Sequence, residues 1–398
     1  MISVGIDVSK GKSTVSIMKP GGEVLAAPFD VLHCIDPPNA LAKRIKSYDE
    51  EVRVVLESTG HYHYPVVTQL VEHGIFVTCV NSLRMKKYCS QSIRRAKTDK
   101  IDSLKIASYG LTYWNELVQI KPSGEIYDEL RNLSRQYYQF VGLLVKTKVN
   151  FSNLLDKVMP NIQTQLSQDK LFDFVNQYIH YENIVKLGEK RFVSDYCKWA
   201  KRKGYHSNER KAIDIFALSQ NSIPVISNTP STKIAVVETV RILQELEKSR
   251  DTILTQMIEL AKTLPEFSLL IEQKGIGKNL ACKLIAEIGD VRRFHSRNAL
   301  IAYAGIDAPP YQSGNFYGNN RHISKRGNKY LRKTGFEIMQ SFIKHKPEND
   351  AVYQFIQQKR GEGKAYKVAM VAGFNKFLRI YYARVCELYV ELDGLLGF

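Results

Sequence analysis

Ile2 to Val8 alternates and is rich in β-branched residues, the two-residue period of a half-buried strand. Lys10-Gly11-Lys12 turns the chain and Ser13 to Met18 predicts a second strand. Pro20-Gly21-Gly22 turns it again, and Glu23 to Ala26 predicts a short third strand. Ala40 to Ser47 has helical spacing, Val52 to Leu56 is a compact apolar strand ending at Glu57, His61 to Glu72 predicts a helix, and Ile75 to Val80 a strand. The order β-β-β-α-β-α-β is the layout of an RNase H-like core, an α/β domain with helices on both faces of a mixed sheet.

The pattern changes period after that. Asp128 to Val158 carries apolar residues at helical spacing, interrupted at Lys148, where the adjacent Val149 is expected to fill the gap; Pro160 stops the helix. Ile234 to Leu264 repeats the stripe and Pro265 ends it. Helices of about 30 residues are roughly 45 Å long and usually pair, within a chain or between protomers. The stripe fits a coiled coil and ordinary core packing alike. Residues 161–231 are less regular and read as a small helical insertion, closed by a connector from Ser222 to Thr232. Three regions follow: an RNase H-like domain at 1–115, a helical or coiled-coil region at 116–265 holding the insertion, and a mainly helical domain at 266–398.

Charge narrows the choice of partner. The chain's 398 residues carry 57 Lys and Arg against 40 Asp and Glu, net +17, and residues 271–398 alone supply +10 of it. A second focus lies at 81–100, where Arg84, Lys86, Lys87, Arg94, Arg95, Lys97 and Lys100 face one acid, Asp99. Such a surplus points to a polyanion, nucleic acid or an acidic membrane surface. No apolar run approaches the ~20 residues of a spanning helix, and the N-terminus lacks the apolar core and cleavage site of a signal peptide. Nucleic acid is therefore the expected partner and the cytoplasm the expected compartment. The six cysteines are scattered without a CxxC pair, which fits a reducing compartment and argues against zinc and disulfides.

The acids fall where a nuclease sheet would use them. Asp7 lies inside the first strand, Glu57 at the end of the fourth, and Asp99 and Asp102 three apart on one helix face, with Thr98 or Asp99 as the N-cap. A carboxylate inside an apolar strand is costly unless it is paired or binds a metal, although a strand-end acid can also turn to water. Clustered carboxylates bind hard divalent cations, and Mg²⁺ suits an all-oxygen set. Two such ions about 4 Å apart can stabilise both the attacking and the leaving oxygen in phosphoryl transfer.

The last third offers two further signals. Gly275-Ile276-Gly277-Lys278 joins two helices and reads either as a plain turn or as a helix-hairpin-helix element, whose glycines let backbone N–H groups approach a DNA phosphate. Ser313 stands between Tyr311-Gln312 and Gly314, on a loop preceded by Pro309-Pro310 and followed by Arg321, Lys325, Arg326 and Arg332, cations able to hold a phosphate, with Ser324 among them.

Gly5-Ile6-Asp7-Val8-Ser9-Lys10, Leu56-Glu57-Ser58-Thr59-Gly60 and Lys97-Thr98-Asp99-Lys100-Ile101-Asp102 resemble the acidic tetrad of the DEDD transposases of bacterial insertion sequences. Ala286-Glu287-Ile288-Gly289-Asp290, Gln312-Ser313-Gly314 and Ser324-Lys325-Arg326-Gly327-Asn328 resemble that family's C-terminal domain. The resemblance spans both ends of the chain in order and is weak over 161–231. It implies a RuvC-like domain binding Mg²⁺ through Asp7, Glu57, Asp99 and Asp102, and a serine nucleophile matched by Ser313, with Ser324 as competitor. It also implies a recombinase guided by a structured bridge RNA that pairs with donor and target DNA, assembled as a tetramer (a dimer of dimers) and working at the bacterial nucleoid. The rival reading is a RuvC-like junction nuclease that hydrolyses DNA with the tetrad alone.

Overall fold

The computed structural model describes residues 1–57, 60, 62–90, 98–120, 124–309, 312–313, 316–317 and 322–396. The chain divides into two compact units, Met1–Pro122 and Ser123–Phe398.

Unit 1 is built on five strands: β1 (Ile2–Val8), β2 (Lys12–Met18), β3 (Val24–Leu32), β4 (Val52–Glu57) and β5 (Phe76–Val80). Their order is β3-β2-β1-β4-β5. The first three run antiparallel, while β1/β4 and β4/β5 are parallel, which is the mixed RNase H-like sheet. The third strand runs to Leu32 instead of stopping at Ala26. Pro28 hides it from a propensity reading, but β3 is an edge strand with a register shift, where proline is tolerated. Four helices complete the unit: α1 (Asp36–Lys46), α2 (Tyr64–Glu72), α3 (Ser82–Cys89) and α4 (Asp99–Thr112). The even residues of β1, Ile2, Val4 and Ile6, pack with Leu41, Ile45, Val66 and Leu70 of α1 and α2.

The odd residues of β1 face α4. That approach is so close that a Cβ on Gly5 would lie 2.2 Å from the Ser103 carbonyl oxygen, and one on Gly110 would lie 2.2 Å from Ser3 Oγ. Glycine at both positions is what lets helix and strand touch. Because Gly110 meets Ser3 and Ser103 meets Gly5, α4 runs antiparallel to β1, and its N-terminal turn reaches the strand end that carries Asp7.

Unit 2 is helical. The long helices α5 (Glu125–Val158) and α10 (Pro230–Ala261) flank four short ones, α6 (Gln168–Tyr178), α7 (Tyr181–Leu187), α8 (Glu189–Arg202) and α9 (Glu209–Asn221). Tyr127 and Leu130 share a core with Met257 and Ala261, whereas Phe151 and Leu155 share one with Val236 and Val240, so α5 and α10 pair antiparallel within the chain. Lys148 does not leave a gap for Val149 to fill. Its ammonium reaches Glu247 of α10 at 2.9 Å, and Val149 is 58% exposed. The insertion packs its own aromatic core of Phe174, Tyr178, Phe192, Tyr196 and Trp199 against that end of the pair.

The remainder comprises α11 (Pro265–Ile271), α12 (Lys278–Ile288), α13 (Arg297–Ala304), the two-residue strands β6 (Gln312–Ser313) and β7 (Phe316–Tyr317), α14 (Lys329–His345), α15 (Ala351–Gly361) and α16 (Tyr366–Leu396). Its centre is α12, buried at every position from Ala281 to Ile288. Glu287 within it is fully buried and satisfied: it accepts from Ser134 Oγ and Arg135 Nη1, each at 2.6 Å, and from Asn328 Nδ2 at 2.7 Å.

Candidate functional site

The parallel pairing of β1 and β4 ends at Ile6 opposite Leu56, so Asp7 and Glu57 follow side by side on neighbouring strands. Side-chain alternation puts Asp7 on the face of Ser3 and Gly5, and Glu57 on the face of Val55, whose methyl touches α4 at Gly110. Both carboxylates thus stand on the α4 face of the sheet.

Thr98 caps that helix, its Oγ1 accepting from Ile101 N at 3.2 Å, and Asp99 and Asp102 occupy the first turn, where the helix dipole favours negative charge. Asp102 lies 4.0 Å from Lys105. Burial raises the pKa of the Cys89 thiol first; Lys105 opposes, and Asp102, Glu57 and Asp7 each raise it further. Strand register sets Asp7 beside Glu57, and the close approach of α4 brings the turn that carries Asp102 to the same strand ends. Asp99 is exposed and acts on Lys12, which pairs with Asp30 at 2.7 Å. Asp30 also accepts from Thr14 Oγ1 at 2.8 Å, and together these contacts hold its pKa below the usual carboxylate range.

Among the described residues no group of three carboxylate, imidazole or thiol side chains is already close enough to hold a metal ion. The donor set is nonetheless all carboxylate on the acidic side, gathered at two strand ends and one helix N-terminus. That chemistry fits a hard divalent cation and not zinc.

In unit 2, Ser313 stands in β6 opposite Phe316 of β7; its side chain lies outside the described structure, as do Arg94, Arg95, Lys97 and Arg321. Ser324 is described in full. Its Oγ donates to Asp307 Oδ1 at 2.5 Å and accepts from Arg326 N at 3.3 Å, and its N–H donates to the Asp307 carbonyl at 2.8 Å. The loop continues along the end of α13, Lys325 N to Gly305 O at 3.0 Å and Asn328 N to Tyr303 O at 2.7 Å. Asn328 then caps α14 through Tyr330 N and Leu331 N.

Two family models match the chain. One, a DEDD transposase model of IS110 type, matches residues 4–160, and one described as transposase IS116/IS110/IS902 family matches residues 268–354. Together they match more than half of the chain. The chain belongs to the IS110 family of transposases. As an IS110-family transposase it is an enzyme acting on DNA, and its DEDD domain implies a divalent metal.

Pilin gene-inverting proteins of Moraxella bovis and Moraxella lacunata are each 24% identical over 334 residues, 83% of this transposase and 79% of theirs. A Thermus thermophilus RuvC solved with a Holliday junction substrate covers 29% of this chain and 96% of its own at 13% identity and a TM-score of 0.22, a score that adds nothing to what the sheet order establishes. Among the described residues no helix of this transposase is long and apolar enough to cross a membrane.

The basic residues divide by what already occupies them. Arg84 is ion-paired to Glu116 and lies over the Tyr113 ring at 5.1 Å, while Lys86 and Lys87 project from α3 into solvent. Lys278, Lys325 and Arg326 are exposed; Arg332 is half-buried, donating to the Ala304 carbonyl at 2.9 Å. Gly275 has φ +105, and a Cβ there would meet the Phe342 ring at 2.9 Å, so its glycine is required by packing. Gly277, the N-cap of α12, faces open space. Sequence reasoning missed Asp307, Asp30 and Cys89, none of which carries a local signal, and left Glu287 without a role.

Proposed function

We propose that this transposase cuts and rejoins DNA through a phosphoserine on Ser313, helped by Mg²⁺ at Asp7, Glu57, Asp99 and Asp102. The observation that supports this most is the parallel register that sets Asp7 beside Glu57 on the α4 face of the sheet, with Asp102 in the first turn of α4, the turn that reaches those strand ends. The bound cation would supply Lewis acidity toward a phosphate oxygen. Asp7 and Glu57 would hold it from two neighbouring strands, and Asp99 and Asp102 from the first turn of α4. The Ser313 hydroxyl attacks phosphorus, the P–O3′ bond breaks, and the proton leaves with the freed 3′-hydroxyl. In the second step a 3′-hydroxyl of the exchanged strand attacks the phosphoserine, returning the proton to Ser313. The bond count is conserved, so no nucleotide triphosphate is required. The name of the Moraxella relatives, gene-inverting, describes cutting with rejoining and favours this chemistry over hydrolysis.

The hydroxyl of Ser324 closes its own turn with Asp307 and Arg326, which favours Ser313 as nucleophile. Lys86, Lys87, Lys278, Lys325 and Arg326 would contact phosphates, and Gly277 would let the α12 N-terminus do the same as part of a helix-hairpin-helix element. A structured bridge RNA is the proposed guide, and residues 116–265 the proposed coiled-coil segment for a tetramer at the nucleoid. The test is a nicked suicide DNA substrate. A denaturation-resistant adduct mapping to Ser313 is expected; an adduct on Ser324 moves the site, and cleavage without any adduct overturns the mechanism in favour of hydrolysis.

A further inference from the structure

A cleft of about 1050 Å³ opens in unit 2 between α13, α15 and α16. One wall is apolar, with Ile301, Ile306, Pro309 and Ile323, and Phe355 of α15 stands in the lining. The other wall is α16, with Val368, Val371, Ala372 and Asn375, and with the cations Lys367, Lys376 and Arg379 around them. From Lys367 to Arg379 α16 runs about 18 Å at 1.5 Å per residue. Lys376 and Arg379 are half-buried, and among the described residues none of the three cations is paired with a carboxylate. Asp307 is the acid in the lining, and Ser324 already occupies it. Half-buried cations beside apolar surface are costly without an anion. The Lys376 ammonium lies 4.8 Å and the Lys359 ammonium 5.3 Å from the centre of the Phe355 ring, so charge and aromatic surface stand together. Asn375 accepts from Arg379 Nε at 2.9 Å, which orients its amide and leaves the NH₂ free to donate.

We propose that this cleft receives an unstacked nucleotide of the DNA strand being cut, its base on Phe355 and its phosphate between Lys376 and Arg379. The volume suits a single extruded nucleotide, since pockets of about 300–1,000 Å³ hold drug-sized molecules, and it is too small for a duplex. Aromatic stacking beside a cationic track is how single strands are held. Pro309 and His322, both in the lining, stand before and after the segment that carries Ser313 in the sequence. The inference rests on DNA cleavage by this segment, and its test reads binding apart from cleavage.

Full-length protein is irradiated with a single-stranded oligodeoxynucleotide carrying 5-iodouracil, and the crosslinked peptide is mapped. Crosslinking to Phe355 is expected, equally in the native chain and in Ser313→Ala, so a wrong nucleophile leaves this result standing. Phe355→Leu should weaken single-strand binding about tenfold. Lys376→Gln and Arg379→Gln should each lower the salt slope by about 0.7. Thermal melts confirm that each variant folds. The proposal is overturned by crosslinks confined to other peptides, by unchanged affinity in Phe355→Leu, by preference for duplex or for RNA of the same sequence, or by equal competition from an acidic peptide.

Discussion

Asp7 is half-buried in a strand whose neighbours Ile6 and Val8 are core, so its carboxylate is kept against the local trend of the sequence. Asp7→Asn preserves shape and removes charge. Strand cleavage should fall by at least about 100-fold, as expected when a metal site is disturbed, with the melting temperature little changed. Wild-type cleavage by Asp7→Asn would end the metal-site reading. Cys89 offers a readout that needs no activity. Asp102 heads the carboxylates that raise its thiol, so Asp102→Asn should lower that pKa and enlarge the thiolate fraction at pH 8. Iodoacetamide labelling of the Cys89 peptide, followed by mass spectrometry, should then run faster than in the native chain. An unchanged rate would place Asp102 away from Cys89.

At the scale of elements, glycines that look alike in the sequence do different things. Gly275→Ala must fit a Cβ at φ +105 against Phe342 and should cost about 1–3 kcal/mol, seen as a lower urea midpoint. Gly277→Ala meets nothing within 4 Å and should leave stability within about 0.5 kcal/mol. A loss of DNA affinity in Gly277→Ala is then the signature of a phosphate at the α12 N-terminus, and unchanged affinity would make the segment a plain turn. Glu287 joins three elements, α5 through Ser134 and Arg135, α12 itself, and the cap of α14 through Asn328. Glu287→Leu strands those donors. With Arg135 partly exposed and able to find water, a cost of about 2–4 kcal/mol is expected in the unit 2 unfolding transition.

For the whole molecule, the surplus of +17 sets the character of binding. A protein that neutralises 6–10 phosphates loses about 10³–10⁵ in affinity between 50 and 200 mM salt. That slope is expected for DNA and for the proposed guide RNA, measured by titration of labelled nucleic acid at several salt concentrations. A flat response would assign the charge to solubility instead. Counting charges overstates the available cations, because Arg84 and Arg332 are partly committed to Glu116 and to the Ala304 carbonyl. Lys86, Lys87, Lys325 and Arg326 stay exposed, and substitutions there should flatten the slope most.

Local pattern alone determined the five strands of unit 1 with its helices α1, α2 and α4, the two long helices, and the acids Asp7, Glu57, Asp99 and Asp102 as candidates, while α3 went unread. These signals are legible because burial on one face imposes a period of two or of 3.6 on adjacent residues. The same logic lost the far half of β3, since Pro28 is tolerated only because the strand is an edge, a fact of sheet order. It also misread Lys148, whose partner Glu247 lies 99 positions along the chain on α10. The neighbourhood of Asp7, Glu57 and Asp102, the latch between Ser324 and Asp307, and the cleft along α16 are all products of tertiary structure. Each joins residues from elements that meet only when buried faces pack, and a one-dimensional pattern carries no term for which face meets which.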